Sequence, residues 1–261
     1  MFEVAFAGVL NVKIGYVLCG IIWAVAVGFA IGNYACSLVH RLPRGRLILD
    51  KPPYCGHCGT LLATKDLFPV FSALLLRHRC RYCGTPFPVS HTWTELLVAL
   101  LLVLSYFRFN YGEQFLLAST LGVFLIVLAA IHANENVVMN KMLVLVAVSG
   151  AMLRILLDHS IYPALEGAFY ALLLAVIIWR KKLTKVGHIY TLPPEALALV
   201  VGGLCVGSAL LPEFLVLYAA IWCFGAALSK ARLTSVRYSV ALGLAVMLCV
   251  LYGPALALLA L

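Results

Sequence analysis

Four cysteines occur in two pairs whose spacing suits a metal ion. The pairs are Cys55-Gly56-His57-Cys58 and Cys80-Arg81-Tyr82-Cys83, with residues 59 to 79 between them. Within each pair, one tight turn can direct both sulfurs at a single ion, so the two pairs supply the four thiolates of a tetrahedral Zn²⁺ site. The sequence therefore predicts structural zinc held by Cys55, Cys58, Cys80 and Cys83.

Two disulfides are the rival interpretation of these cysteines. Disulfides form in oxidising compartments, whereas the basic charge of this segment predicts a cytosolic position, as argued below. Arg77, Arg79 and Arg81 surround Cys80. Four thiolates and one Zn²⁺ leave a formal charge of −2, which nearby arginines would offset. The same arginines could equally face anionic lipid.

Ionisable residues near the ends of apolar runs form a second set of candidates. His132 lies in the stretch Ile131-His-Ala-Asn-Glu-Asn136, and Glu195 follows Pro193-Pro194 just before another apolar run. Ionisable groups at membrane depth are functional candidates by default, although solvated loop residues are common near the interface.

The elements that must position these residues are membrane helices. Hydrophobic residues make up 64% of the chain and charged residues 11%, and the mean hydropathy is +1.05. A soluble domain of this length could not bury so much apolar surface. The composition predicts an all-α polytopic membrane protein.

Apolar runs predict about eight spans and three domains. The spans cover about 14–39, 93–109, 114–132, 141–157, 160–179, 196–212, 213–229 and 238–260. The first is too long for a signal-peptide core and is predicted to be retained. The predicted domains are the first span (1–39), a small zinc-binding loop domain (40–92) and a seven-span membrane domain (93–261). The sequence shows no soluble catalytic domain, no glycine-rich phosphate loop and no internal repeat.

The charges predict an orientation. Lys and Arg concentrate in residues 40–92, 133–141, 180–185 and 230–237, which leaves Lys13, Arg108 and Arg154 on the other side. By the positive-inside rule, the cysteine loop is cytoplasmic and both termini face outward. The net charge of +9 is therefore expected to serve contacts with membrane lipid, and no nucleic-acid partner is expected.

The ordered motifs resemble a known family. Gly28 and Gly32 have the small-residue spacing of close helix packing. The segment Gly28-x3-Gly32-Asn33 leads into His40-Arg-Leu-Pro-Arg44, the cysteine pairs enclose Asp66-Leu-Phe-Pro-Val70, and Glu95-Leu-Leu97 begins the second span. Together with Ala241-Leu-Gly243, these features resemble the prepilin leader peptidase and N-methyltransferase family across nearly the whole chain. The resemblance implies a bacterial inner-membrane aspartyl protease that removes a short basic leader and methylates the new N-terminus with S-adenosylmethionine.

The sequence departs from that family at both catalytic positions. The family's aspartates lie in an Ile-Asp pair and a Gly-x-Gly-Asp-x-Lys motif. The Ile-Asp pair corresponds to Ile131-His132, and an Asp that often follows it corresponds to Asn140. Counting back from Gly203 and Gly207 puts Pro194-Glu195 at the second motif. An aspartyl mechanism needs two carboxyl groups that share one proton. A His–Glu pair would favour imidazolium and carboxylate instead.

Three functions follow as alternatives. The first is a peptidase-inactive relative that binds the N-terminal segment of type IV prepilins or type II secretion pseudopilins. The second is an enzyme that retains N-methylation, or that hydrolyses by an altered mechanism through His132 and Glu195. The third is a membrane scaffold or transporter whose zinc-binding loop docks a cytosolic partner. The intact cysteine motif beside substituted aspartates favours the first two.

Overall fold

The chain folds into helices throughout most of the part that a computed structural model describes. That part comprises residues 2–45, 57–61, 79–85, 89–135, 139–179, 184–186, 189–191, 194–228 and 242–252. Within these ranges there are eight α-helices: α1 Phe2–Arg41, α2 Val89–Phe109, α3 Glu113–Glu135, α4 Asn140–Asp158, α5 Tyr162–Trp179, α6 Pro194–Val206, α7 Leu211–Leu228 and α8 Leu242–Tyr252. A 3₁₀ helix, η1, covers Leu42–Arg44.

Four segments are long and apolar enough to cross a membrane. They are Ile14–Arg44, Thr92–Phe109, Glu113–Asn134 and Asn140–Asp158, and the other apolar helices are shorter within the described ranges. Large apolar side chains such as Ile22, Trp23 and Val144 are exposed on these helices, as expected for surfaces that face lipid. In lipid, only helices and closed barrels satisfy the hydrogen bonds of the backbone. The prediction of a helical, multi-pass membrane protein is confirmed.

The helices form two compact units. The first contains residues 1–41 and 46–110, and the second contains residues 42–45 and 111–261. By packing, α2 belongs with α1, whereas the predicted domain boundaries assigned it to the segment 93–261. The predicted domains 1–39, 40–92 and 93–261 stay a prediction.

In the first unit, glycines of α1 bring its backbone against α2. A methyl group added at Gly28 would lie 2.5 Å from Ala99 Cα, and one at Gly32 would lie 2.7 Å from Glu95 Cα. Because only glycine permits these approaches, the small-residue spacing predicted for close helix packing is confirmed. The two helices are antiparallel, so the end of α1 and the start of α2 lie at the same end of the pair.

In the second unit, α4 packs against α3, α5 and α6. Short connections make α3, α4 and α5 successively antiparallel. The Ser208 N–H donates to Pro163 O at 2.9 Å, which ties the end of α6 to the start of α5. As a result, α6 is antiparallel to α5 and parallel to α4.

Glycines again set the helix spacing in the second unit. A methyl group at Gly150 of α4 would overlap Cys205 Sγ of α6, and one at Gly167 of α5 would overlap Gly203 O. Close backbone approach of this kind is how helices associate in lipid, where burial of apolar surface adds little.

A buried arginine lies where α6 ends. Arg154 of α4 is 6% exposed, and its Nε lies 3.2 Å from Asp158 Oδ2 one turn further on. Its guanidinium packs against Gly207, which has a φ of +79° and terminates α6. A cation there complements the negative end of the helix dipole. The predicted span 196–212 is therefore interrupted at Gly207, because a left-handed glycine ends the helix although the apolar run continues.

A short β-hairpin precedes α6 and was not predicted. Strand β1 (Thr184–Val186) pairs antiparallel with β2 (Ile189–Thr191), and Lys185 lies opposite Tyr190. Each strand has only three residues, which is too short for an alternating pattern to be recognised.

Candidate functional site

The second cysteine pair lies on a closed turn. The Cys80 N–H donates to Thr85 O at 2.9 Å, and the Gly84 N–H donates to Cys80 O at 2.9 Å. Gly84 has a φ of +70°, a conformation that favours glycine. The turn thereby holds Cys80 and Cys83 on the same side of the loop, as the Cys-x-x-Cys spacing predicts.

Three of the four predicted ligands come together. The sulfurs of Cys58, Cys80 and Cys83 lie within 4.8 Å of one another. Zinc–sulfur bonds of about 2.3 Å in a tetrahedron place sulfurs roughly 3.8 Å apart, so displacements of about 1 Å or less would complete these three bonds. The donor set fits zinc. Cys55 lies outside the described residues.

The three thiols differ in exposure. Cys80 is 3% exposed, whereas Cys58 is exposed to solvent. Arg79 and Arg81 flank Cys80 in the chain and are both exposed. One ligand is thus enclosed by the protein, and at least one other meets water.

Hydrogen bonding favours the thiolate form of Cys83. Hydrogen bonds from the Thr85 side chain and then from its backbone lower the pKa of Cys83 from 9.0 to about 6. Desolvation raises this pKa, and hydrogen bonds with Cys80 and Cys58 lower it further. Zinc binds the thiolate rather than the thiol. Cys83 is therefore largely in the ligating form at neutral pH.

The loop is connected at both ends to the α1 and α2 pair. The chain leaves α1 at Arg41 and enters α2 at Val89, and the glycine contacts fix these two ends side by side. Near this end, Glu95 is 4% exposed and Cys36 is 2% exposed, and the Thr94 side chain forms a hydrogen bond with the Cys36 thiol. The sequence motif Glu95-Leu-Leu97 gave no indication that its carboxylate would be buried.

His132 lies in the last turn of α3 and is 3% exposed. Its position near the helix end agrees with the predicted end of the third span. The imidazole is thus enclosed by the second unit rather than solvated on a loop.

Glu195 is the second residue of α6, and its side chain lies outside the described part. The chain directions put the end of α3 and the starts of α4 and α6 at one end of the second unit. The parallel helices α4 and α6 touch at Gly150 and Cys205. Counted back along each helix from this contact, Asn140 lies about 15 Å away and Pro194 about 16 Å away. The two helix starts are therefore at about the same depth.

Comparison with known proteins extends these observations. Residues 26–109 match the family described as Bacterial Peptidase A24 N-terminal domain. The chain is also 31% identical over 114 residues to a prepilin leader peptidase/N-methyltransferase of Myxococcus xanthus, a match that covers 44% of this chain and 34% of that protein.

The chain is similar to proteins named prepilin leader peptidase/N-methyltransferase.

Two further relatives carry the same name. The protein of Xanthomonas campestris is 27% identical over 182 residues, covering 60% of this chain and 63% of the relative, and that of Klebsiella pneumoniae is 30% identical over 115 residues, covering 42% and 50%. This chain spans between about a third and less than two thirds of the length of these three relatives. No solved structure matches it.

The family match covers the metal site but not the other candidates. Residues 26–109 include the C-terminal part of α1, the cysteine segment and α2, whereas His132, Asn140 and Glu195 lie beyond them. The resemblance predicted from the motifs is confirmed. The assignment of His132 and Glu195 to the catalytic positions stays a prediction.

Two residues of the metal site were missed in the sequence. Thr60 and Thr85 follow the two cysteine pairs at equal distance, so each pair reads Cys-x-x-Cys-Gly-Thr. No internal repeat was predicted, because six residues are too few to stand out as one. The matching spacing of the threonines was the available signal.

Proposed function

We propose that this chain is a bacterial inner-membrane protein that binds the N-terminal segment of type IV prepilins or type II secretion pseudopilins and lacks aspartyl peptidase activity. One observation carries the proposal. The domain that resembles the family keeps its cysteine motif, while the positions that the resemblance assigns to the two catalytic aspartates hold His132 and Glu195.

The loss of peptidase activity follows from the chemistry of these side chains. In an aspartyl protease, one carboxyl activates water and the other, protonated, polarises the scissile carbonyl. A histidine beside a glutamate takes up the proton and leaves a carboxylate, so the pair has no shared acidic proton. His132 is enclosed in the last turn of α3 and supplies no carboxyl group.

No other aspartate is a good substitute. The chain contains Asp50, Asp66 and Asp158. Asp158 ends α4 and pairs with Arg154, at the opposite end of that helix from Asn140. A helix of this length keeps its ends about 28 Å apart, so Asp158 cannot replace an aspartate near His132. Asp50 and Asp66 flank the first cysteine pair in sequence.

The zinc site is proposed to be structural. Cys55, Cys58, Cys80 and Cys83 would hold the ion, which supplies a cross-link between two turns of a loop with little apolar core. The described sulfurs are already close, and Cys83 favours the thiolate. The loop thereby presents a fixed surface to the pilin.

Retained N-methylation with S-adenosylmethionine is the second candidate. It is favoured because the substituted positions lie outside the 26–109 match, so that their loss leaves the matched domain intact. In this case the chain would act on a pilin that another peptidase has already cleaved.

The proposed orientation puts the cysteine loop in the cytoplasm and both termini outside. It rests on the distribution of Lys and Arg. Reporter fusions after residue 60 and after residue 261 should report opposite compartments. A cytoplasmic C-terminus would overturn the eight-span arrangement.

The substrate proposal is tested with purified protein, a prepilin carrying a photo-crosslinker near its leader, and labelled S-adenosylmethionine. We expect a crosslinked complex that an excess of unlabelled prepilin displaces, and an uncleaved leader by mass spectrometry. The same assay is run with a pilin that has already been cleaved. A methylated N-terminus there supports the second candidate. Absence of any displaceable complex, with prepilin or with cleaved pilin, contradicts both.

A further inference from the structure

Both cysteine turns continue into the same two residues. Cys58-Gly59-Thr60 and Cys83-Gly84-Thr85 have identical sequences. The glycines also have the same left-handed backbone conformation, with φ of +71° at Gly59 and +70° at Gly84. The chain is thus turned back in the same way after each cysteine.

The turn brings each threonine hydroxyl to the sulfur two residues earlier. Cys58 Sγ lies 3.3 Å from Thr60 Oγ1, and Cys83 Sγ lies 3.2 Å from Thr85 Oγ1. In the metal-free form a thiol can donate to the hydroxyl oxygen. A metal-bound thiolate has no proton, so the hydroxyl must then donate to the sulfur.

We propose that Thr60 and Thr85 are outer-shell residues of the zinc site, each donating a hydrogen bond to one ligand thiolate and strengthening zinc binding. The inference rests on the proposed zinc site and adds a role that the cysteine motif does not contain. Four thiolates around Zn²⁺ carry a formal charge of −2, and hydrogen-bond donors to sulfur disperse that charge and fix the sulfur's direction.

The third described ligand, Cys80, has no threonine two residues after it and is instead oriented by burial. Cys80 is 3% exposed, so the protein itself orients its sulfur. Cys58 is exposed, so water can reach its sulfur. Water can partly replace a lost hydroxyl at such a site, which predicts an effect at the low end of the outer-shell range, about tenfold in metal affinity.

The test compares zinc affinity among full-length variants in detergent, by competition with a chromophoric chelator. Thr60→Val and Thr85→Val remove the hydroxyl and keep the shape, and each should weaken zinc binding about tenfold, with about a hundredfold loss in the double variant. Thr60→Ser and Thr85→Ser keep the hydroxyl and should bind zinc like the wild type. Thr120→Val is the matched control, because the Thr120 hydroxyl donates to Leu116 O on α3.

A second measurement separates the hydroxyl from packing. In the cobalt-substituted protein, the thiolate-to-cobalt charge-transfer band should move in the Val variants and stay in the Ser variants. Equal affinity in wild type and the double Val variant overturns the inference, as does equal weakening by Val and Ser. Wild-type protein that binds no zinc would instead refute the metal site of the proposed function.

Discussion

The cysteine loop and the end of the helix bundle that carries His132 differ in what they keep of the chemistry the family resemblance implies. In the loop, Cys58, Cys80 and Cys83 lie together with one thiol already disposed to ionise. The end of α3 and the starts of α4 and α6 lie at one end of the second unit, and the residues there are His132, Asn140 and Glu195. The cysteine loop thus has the groups that the resemblance implies, whereas by our proposal His132 and Glu195 stand where the resemblance implies two aspartates.

The comparison separates two kinds of requirement. A structural zinc site needs four sulfurs on turns that are largely local, so its formation depends on short stretches of sequence. An aspartyl pair needs two identical groups that share a proton, and replacing either group removes the chemistry while the helices still pack. A chain can thus lose catalysis without losing the fold.

Removing the buried zinc ligand should have the largest effect. Wild-type protein should carry about one zinc per chain, and Cys80→Ser should lower this severalfold or more, because the enclosed ligand cannot be replaced by water. Protease should then cut the loop between α1 and α2 faster. Zinc content is measured by atomic absorption and cleavage by mass spectrometry.

Cys19→Ser is the control, since Cys19 is exposed on α1. It should keep both the zinc and the protease resistance. Loss of zinc from Cys80→Ser with unchanged proteolysis would show that the metal does not organise the loop.

The pH dependence of Cys83 should differ strongly from that of an ordinary thiol. In chelator-treated protein, its alkylation rate should rise with a midpoint near pH 6 rather than 9.0. Because the pKa of Cys83 is lowered by folding, the stabilisation from its hydrogen bonds is complete above pH 9.0 and is lost as the pH falls through about 6. Thr85→Val should move the midpoint upward, and a wild-type midpoint near 9 would contradict the hydrogen-bonded thiolate.

A smaller effect, on thermal stability, is expected from a substitution where α1 contacts α2. Gly28→Ala puts a methyl group 2.5 Å from Ala99 Cα, which the backbone must move to relieve, at a cost of about 1–3 kcal/mol. We expect a thermal unfolding midpoint lower by roughly 3–10 °C. Gly15→Ala, with nothing within 4 Å of the added methyl, should leave the midpoint unchanged or raise it slightly. Equal midpoints for the two variants would rule out the close α1–α2 approach.

The features that the sequence predicted correctly depend on composition and local spacing. Apolar runs predicted the helices, Gly28 and Gly32 predicted a close helix pair, and the Cys-x-x-Cys pairs predicted the sulfur cluster. Each of these signals lies within a stretch of a few residues or a single helix.

The features that it missed depend on backbone conformation and on contacts between helices. Helix α6 ends at Gly207 because the backbone there is left-handed, and Arg154 of another helix packs against this glycine, although the apolar run continues beyond it. The role of Thr85 depends on a left-handed glycine that folds its hydroxyl onto Cys83. Whether His132 meets Glu195 depends on side-chain positions that neither spacing nor helix direction determines.

The central claim is that His132 and Glu195 do not form an active peptidase pair, and leader cleavage tests it most directly. Purified wild-type protein, His132→Ala, and the double variant His132→Asp with Glu195→Asp are incubated with a prepilin, and the pilin N-terminus is determined by mass spectrometry. We expect negligible cleavage by wild type and by His132→Ala, and at most partial cleavage by the double variant, since Pro194 and Leu197 also depart from the family motif. Efficient cleavage by wild type that His132→Ala abolishes would contradict the claim and identify His132 as a general base beside a carboxylate.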